Sequence, residues 1–370
     1  MKLTITKEQL ETGLRTVQSV VASRTNLPAL ANVLIQADAD AVELTTTDLD
    51  IAISCKVQAK VERGGSISVP AKRLFGVVCE LASPEIEMDA DSKNRCVVRA
   101  GQSFYRFNGL PIEEFPPLQR FDGDRKITIP HEKMRIMLQR TSFATSEEES
   151  RYVLNGIFFS IKDGKIMMVA TDGKRLALVE EQVEMPESMQ GSFIVPNKAV
   201  NEIKRLLTAN GELDMGFDEK QAMFRFRSEG VPETLLVTRL VDGNYPNFRQ
   251  VIPTEVKEHI ELNREEFLHA LRRAECLTSP KQSSVKLSLS QNSLVISVNS
   301  PEYGEGTETI AINYQGSSIS IAFNPKFLID PLLALENLDN IYLDLIDELS
   351  PGVIKDNQGF LYVVMPMRLT

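Results

Sequence analysis

The sequence predicts an α+β protein of three tandem similar domains, each with two helices packed on antiparallel sheet, and three observations lead there. At 370 residues and 42% hydrophobic, the chain is too long for one ordinary domain and can bury a substantial core. A charged fraction of 25%, with only 20 Gly and 18 Pro, excludes extensive disorder. The third observation is an internal repeat, which sets the domain count.

Three segments, LTITKEQLETGLRTVQ, ITIPHEKMRIMLQRTS and IELNREEFLHALRRAE, each read as a short strand followed by an amphipathic helix. Their apolar positions share one phase: Leu10, Leu14 and Val17; Met134, Leu138 and Thr141; Phe267, Leu271 and Ala274. Thr6 with Gln9 forms a capping box, Asn263 with Glu266 a close relative, and Pro130 suits the first turn of the middle helix. A second helix follows a strand ending at or near Pro in each pass: ISVPAKRLFGVVCEL, FIVPNKAVNEIKRLL and IAFNPKFLIDPLLAL. Its lysine recurs as Lys72, Lys198 and Lys326, 126 and then 128 residues apart. A unit of that size is a domain and not a solenoid repeat. Between the helices the text is strand-like: Ile51, Ile53, Cys55 and Val57 alternate, and Asp163-Gly164 signals a hairpin. Boundaries are expected near Phe121 to Lys126 and Val251 to His259, giving domains 1–123, 124–253 and 254–370.

Most catalytic chemistry is missing from this text. Cys55, Cys79, Cys96 and Cys276 lie far apart with no C-x-x-C pair, and read as reduced, mostly buried thiols. His131, His259 and His269 form no metal-ligand pair, so no metal site and no cofactor is expected. The Thr47-Asp48-Leu49-Asp50 run contains a D-x-D, and the rival reading is a metal-dependent enzyme acting on nucleic acid through Asp48 and Asp50. The matching place in the second pass holds Asp172 and Lys174, which favours a turn. No Walker A, G-x-S-x-G or strand-borne G-x-G-x-x-G occurs, and no catalytic residue is assigned. No apolar run reaches the roughly 20 residues of a membrane span, and the N-terminus lacks a signal-peptide core, so a cytoplasmic location is expected. The net charge of −10 argues against a protein that coats nucleic acid, but 16 acidic against 9 basic side chains fall in residues 254–370, so the excess acid is concentrated there.

Five motifs, RTNLPALANVLI, SRYVLNGIFF, VATDGKRLAL, LVDGNYPNFRQVIP and the terminal YVVMPMRL, occur in an order that resembles the bacterial DNA polymerase III beta subunit, the sliding clamp family, from end to end. The resemblance implies a head-to-tail homodimer forming a six-domain ring around duplex DNA, with no enzymatic activity of its own. It implies a processivity factor that tethers the DNA polymerase III catalytic subunit, is placed on DNA by a clamp loader complex, and serves other DNA polymerases and repair or ligation enzymes. Residues facing DNA would be Arg24, Lys72, Arg73, Arg151, Tyr152, Lys198 and Lys326. Lys7, Arg15, Lys133, Arg140, Arg264 and Arg272 are further basic candidates on the repeated first helices. A groove for a Gln/Leu/Phe-type peptide would be lined by Leu154, Thr171, Gly173, Arg175, Leu176, Pro246, Val251, Val364, Met365, Pro366 and Met367, with Met365 and Leu176 as anchors. Lys174 and Gln250 stand where His and Arg are frequent in the family, and Val153 replaces a common Tyr. The dimer contact would set Tyr105 and Phe107 against Arg273, Cys276 and Leu277, flanked by Glu302 and Glu305.

Overall fold

A computed structural model describes residues 1–21, 25–117, 126–186, 189–279 and 283–368. Among the described residues the six expected helices form: α1 Lys7–Val17, α2 Ala71–Glu80, α3 His131–Thr141, α4 Asn197–Leu206, α5 Arg264–Glu275 and α6 Pro325–Ala334. Leu10, Leu14, Val17, Met134, Leu138, Phe267 and Leu271 are fully buried, as their shared phase requires. Thr6 accepts from the Gln9 backbone N–H at 3.2 Å and Asn263 from that of Glu266 at 3.0 Å, so both caps are made. Pro130 instead ends the strand Ile127–Pro130 and α3 opens one residue later, because its fixed φ also suits the strand end.

The residue that opens the first helix of each repeat is fastened to the end of the second. Lys7 donates its backbone N–H to Pro84 and its Nζ to the Cys79 and Leu81 carbonyls, at 2.8 and 2.6 Å, in the last turn of α2 and just past it. Arg264 donates its N–H to the Asp339 carbonyl, Nε to Leu338 at 2.8 Å and Nη1 to Leu332 at 3.3 Å, closing α6. In the middle repeat His131 donates its N–H to Gly211, and its Nδ1 accepts from the Thr208 N–H at 3.3 Å just past α4. A cation placed there meets the carbonyl-rich, negative end of a helix. Lys7 and Arg264, read from the sequence as further basic candidates for the DNA side, therefore spend their donors on helix-end carbonyls as structural caps.

By packing, the chain divides into two compact units: Met1–Arg135 with Glu184–Met189 and Lys198–Leu240, and Ile136–Val183 with Gln190–Asn197 and Val241–Thr370. Of the boundaries read from the sequence, Phe121 to Asp124 and Arg125 lie outside the described residues. The first unit holds a five-stranded sheet, in the order Lys60–Arg63, Lys2–Thr6, Glu85–Ala90, Arg95–Ala100, Ser103–Asn108. Its second sheet has eight strands: Ile127–Pro130, Glu212–Phe217, Gln221–Ser228, Val231–Arg239, Ile51–Gln58, Ala41–Thr47, Asn32–Asp38 and Gly65–Pro70. The second unit repeats the plan. Its four-stranded sheet runs Gly304–Ala311, Ser293–Ser300, Val285–Ser290, Ile319–Phe323. Its eight-stranded sheet runs Gly191–Pro196, Gly156–Lys162, Lys165–Thr171, Arg175–Gln182, Phe360–Val364, Gly352–Lys355, Asn340–Leu345, Glu258–Asn263.

The middle of each eight-stranded sheet joins two sequence repeats. Val231–Arg239 pairs with Ile51–Gln58 through Leu236↔Ile53 and Val237↔Ala52, and Phe360–Val364 pairs with Arg175–Gln182 through Val363↔Leu176 and Leu361↔Leu178. Each repeat has its two helices and its antiparallel strands as expected, and this pairing joins the strands of successive repeats into one continuous sheet. Each repeat would otherwise carry an open strand edge, and joining removes both edges at once. The expected hairpin is present, with Asp163 at φ +52° and Gly164 at φ +72° between Gly156–Lys162 and Lys165–Thr171. Cys55 and Cys96 are buried and Cys79 half-buried, but Cys276 is exposed.

His131 supplies a pH test of the helix fastening. Its Nε2 is buried without a partner, and burial pushes its pKa down. The unfolded chain therefore takes up this proton more readily than the folded one below about pH 6.5. Stability from the neutral ring is complete above that pH and is lost as pH falls through it toward the lower folded value. Urea unfolding across this range is expected to show a steeper acid loss for the native chain than for His131→Gln.

Candidate protein-docking and nucleic-acid-facing sites

The strand pair Arg175–Gln182 and Phe360–Val364 sets the turn Thr171 to Arg175 beside the chain that leaves the sheet at Met365. Two side chains close this turn. Thr171 Oγ1 donates to the Arg175 carbonyl at 2.5 Å and accepts from the Gly173 N–H at 3.1 Å, while Asp172 Oδ1 accepts from the Lys174 and Arg175 N–H groups at 2.9 and 3.1 Å. Gly173 has φ +86°, and a Cβ there would lie 2.8 Å from Arg151 Nη1. The Met365 N–H donates to Lys174 at 3.0 Å and the Met367 N–H to Ala322 at 2.7 Å, so the terminal segment is held by backbone and its side chains are left outward.

Beneath lies an apolar floor of Met167, Val169, Leu176, Phe248, Val353 and Val363, with Tyr245 and Phe158 stacked at 4.9 Å along its margin. Burial pushes the Tyr245 phenol up, and its hydroxyl reaches the Val169 carbonyl at 3.4 Å. Val251, Met365 and Met367 are 42, 41 and 38% exposed, and Leu349, in the turn that follows Asn340–Leu345, is 81% exposed. Pro246 and Gly173 are exposed, and Thr171 and Pro366 half-buried. Exposed sulfur-containing and branched side chains make an adaptable contact surface.

Four residues expected to line this groove do not face solvent. Leu154, at the end of the short helix Glu149–Leu154, and the strand residues Leu176 and Val364 are 8, 2 and 0% exposed; the sheet is covered on both faces here, and Leu176, opposite Val363, belongs to the floor and is not an outward anchor. Arg175, 8% exposed, donates to Asp172 Oδ2 at 3.0 Å, Asp330 Oδ2 at 2.5 Å and the Phe143 carbonyl at 2.7 Å, with the Phe327 ring 4.5 Å below its guanidinium. It braces the turn against α6. Tyr245 and Phe248 went unread within the quoted motif LVDGNYPNFRQVIP, while nothing periodic in the sequence marks Leu349 or Val353.

The basic candidates separate by partner. Lys72, Lys198 and Lys326 each occupy the second position of α2, α4 and α6, and all are exposed; Lys198 pairs with Asp48. A cation in a first helical turn opposes the helix dipole, so the dipole does not account for this threefold placement. Arg73 and Tyr152 are exposed too. Arg151 is half-exposed, with Nη1 donating to the Asp172 carbonyl at 3.0 Å and Nε 3.1 Å from Glu148. Arg24 lies outside the described residues. Arg140 is corrected: it is buried, bound to Asp356 at 2.9 Å and set over Phe360, because α3 turns that position into the core. Arg15 pairs with Glu11 over the Phe75 ring.

Each unit also carries an open strand edge. In the first, Ser103–Asn108 ends the five-stranded sheet, with Tyr105 43% exposed, Phe107 half-buried, and Arg99 and Arg106 flanking the Phe104 ring. In the second, Gly304–Ala311 ends the four-stranded sheet; Glu302 and Glu305 are exposed, Leu277 is half-buried, and Arg273 binds Glu308 at 2.7 and 2.8 Å. Among the described residues no group of three or more His, Cys, Asp or Glu converges on a metal position, and no helix is long and apolar enough to cross a membrane. Asp48 Oδ1 instead accepts from the Asp50 and Ile51 N–H groups at 3.0 and 2.8 Å, which makes the D-x-D run a turn.

Models of the N-terminal, central and C-terminal domains of the DNA polymerase III beta subunit match residues 1–119, 128–247 and 249–368. The chain belongs to the DNA polymerase III beta subunit family. Within that family it is 36% identical over 369 residues to the beta sliding clamp of Chlamydia pneumoniae, covering 100% of this chain and 99% of the relative. It is 31% identical over 382 residues to that of Bacillus subtilis, covering both entirely. The crystal structure of the Bacillus subtilis sliding clamp matches with a TM-score of 0.94 at 30% identity, covering 100% of both chains. That of the Pseudomonas aeruginosa clamp bound to griselimycin matches with 0.92 at 32%, again over 100% of both.

The beta-subunit turn at Asp172 gives a local test. Asp172→Ala removes two backbone caps and one carboxylate from Arg175, and is expected to cost about 1–3 kcal/mol. Hydrogen exchange should quicken at the Lys174 and Arg175 amides, with the far strand Gly191–Pro196 unaffected.

Proposed function

We propose that this chain works as a DNA sliding clamp: a ring-shaped processivity factor that encircles duplex DNA and tethers the replicative polymerase through the groove above the Leu176–Val363 floor. The observation that carries this reading is the match of all three beta-subunit domains across the whole chain. Three domains of about 1–123, 124–253 and 254–370 per chain, two chains per ring, make a closed object of six similar parts. A head-to-tail contact of unlike surfaces closes only if its rotation does. The two open edges supply unlike surfaces of opposite charge: Ser103–Asn108 with Arg99 and Arg106 from one protomer, Gly304–Ala311 with Glu302, Glu305 and Glu308 from its partner. Tyr105 and Phe107 then cover Leu277 and Cys276.

Retention on DNA is a matter of topology in this reading, so the lining needs only mild positive charge. Lys72, Lys198 and Lys326 are the exposed cations that the helix dipole does not reward, and they serve as weak, sequence-independent phosphate contacts together with Arg73, Arg151 and Tyr152. Tight phosphate binding would brake sliding. Met365, Met367, Val251 and Pro246 receive the apolar residues of a short partner peptide, while Gly173 and Thr171 hold the adjoining turn. A clamp loader and other DNA polymerases or repair and ligation enzymes share that groove and therefore compete. The ring acts in the cytoplasm and performs no bond chemistry itself; affinity comes from few anchors.

Two measurements test this. Loaded onto a nicked circle, the protein should stay bound through a salt step that lowers ordinary DNA affinity by about 10³ to 10⁵ fold, and should leave when the circle is cut. Equal loss from circular and linear DNA would contradict encirclement. Met365→Asp places a charge over the dry floor and should weaken a Gln-Leu-x-Leu-Phe peptide by at least about 10-fold, with the circular dichroism spectrum unchanged. Unaltered peptide affinity would move the groove elsewhere.

A further inference from the structure

The frame that builds the partner groove occurs a second time, in the eight-stranded sheet of the first unit. There Thr47 Oγ1 donates to the Ile51 carbonyl at 2.9 Å and accepts from the Leu49 N–H at 3.0 Å, as Thr171 does with Arg175 and Gly173. Asp48 caps its turn as Asp172 does, and Leu49 stands at φ +83° where Gly173 stands at +86°. Ala52 faces Val237 as Leu176 faces Val363, which puts Arg239 in the place of Met365. A further turn agrees: Asp218 Oδ1 accepts from Lys220 and Gln221, as Asp347 Oδ1 does from Leu349 and Ser350.

Between these turns lies a recess of about 240 Å³ walled by Leu49, Pro116, Pro117 and Val237. Gln221 lines it with only 8% of its surface exposed, and its Oε1 has no hydrogen-bond partner. A buried acceptor left empty calls for a donor from outside. At the rim Arg239 is 3.8 Å from Asp50, both side chains more than half exposed, a loose pair that a better-placed carboxylate can displace.

We propose that this recess is a second docking site for a linear peptide, whose apolar side chain enters the recess, whose backbone N–H meets Gln221 Oε1, and whose acidic residue pairs with Arg239. The volume admits one or two side chains and no folded partner. Asp50 beside Arg239 disfavours a polyphosphate, and the apolar wall requires more than charge. The chemistry differs from that of the Met365 groove, since Arg239 and Lys220 stand where Met365 and Leu349 do, so the two sites take different peptides and can be filled together.

The experiment is fluorescence anisotropy with a labelled acetyl-Ala-Leu-Phe-Asp-Asp-amide peptide on the full-length chain carrying Met365→Asp, which silences the other groove. Saturable binding is expected in that background, weakened at least about 10-fold by Arg239→Gln, by Gln221→Leu, or by Asp-to-Asn replacement in the peptide. Arg239 is exposed, so its replacement tests the site without disturbing the fold. Absence of saturable binding in the Met365→Asp chain, or binding indifferent to Arg239→Gln, would overturn the proposal. Its use of Met365→Asp rests on the proposed groove, and a failure of that reading shows separately, as undiminished Gln-Leu-x-Leu-Phe binding by the same variant.

Discussion

Pairing of strands from successive repeats is the constraint on which the sites depend. Once Phe360–Val364 lies against Arg175–Gln182, the turn at Thr171–Arg175 and the outgoing Met365–Met367 segment must meet, and the inward residues of both strands must form one floor. The groove is thus a consequence of sheet continuity and needs no dedicated loop. The same constraint acts on Val231–Arg239 and Ile51–Gln58 in the first unit, where it produces the same turns with other side chains. Duplication supplied two frames, and the residues at the positions of Arg239 and Met365 made them different.

The cations show how one residue type is divided between stability and function. Lys7 and Arg264 close carbonyl ends, Arg140 neutralises a buried carboxylate, and Arg175 ties a turn to α6. These positions gain from electrostatics inside the fold. Lys72, Lys198 and Lys326 sit against the favourable direction of their helix dipoles, so helix electrostatics does not account for their recurrence. In the proposed clamp an acidic chain lines its DNA path with such residues, because only the local arrangement of charge meets the phosphates.

Much of this was legible in the sequence where a short-range rule decides it. The helical phase of Leu10, Leu14 and Val17 and its two copies fixed the helices, and Asp163-Gly164 fixed a hairpin, since each rests on residues within a few positions. The D-x-D run was read as a turn for the same reason. What stayed hidden depends on distant partners. Arg140 looks like any basic helix residue until Asp356, 216 positions away, is placed against it. Leu176 and Met365 look equally apolar, and only the fold shows that one sits inside a paired strand while the other lies just past the end of the strand Phe360–Val364, at the surface. Strand pairing between repeats was invisible because pairing carries no periodic signature of its own.

Native-state hydrogen exchange across the two inter-repeat strand pairs tests the central claim most directly. Amides of Val231–Arg239 and Phe360–Val364 are expected to exchange together with those of Ile51–Gln58 and Arg175–Gln182, each pair only through the largest unfolding event of its own unit. If these strands instead open in a separate, easier step while the helices stay protected, the repeats are autonomous domains and sheet continuity does not build the groove.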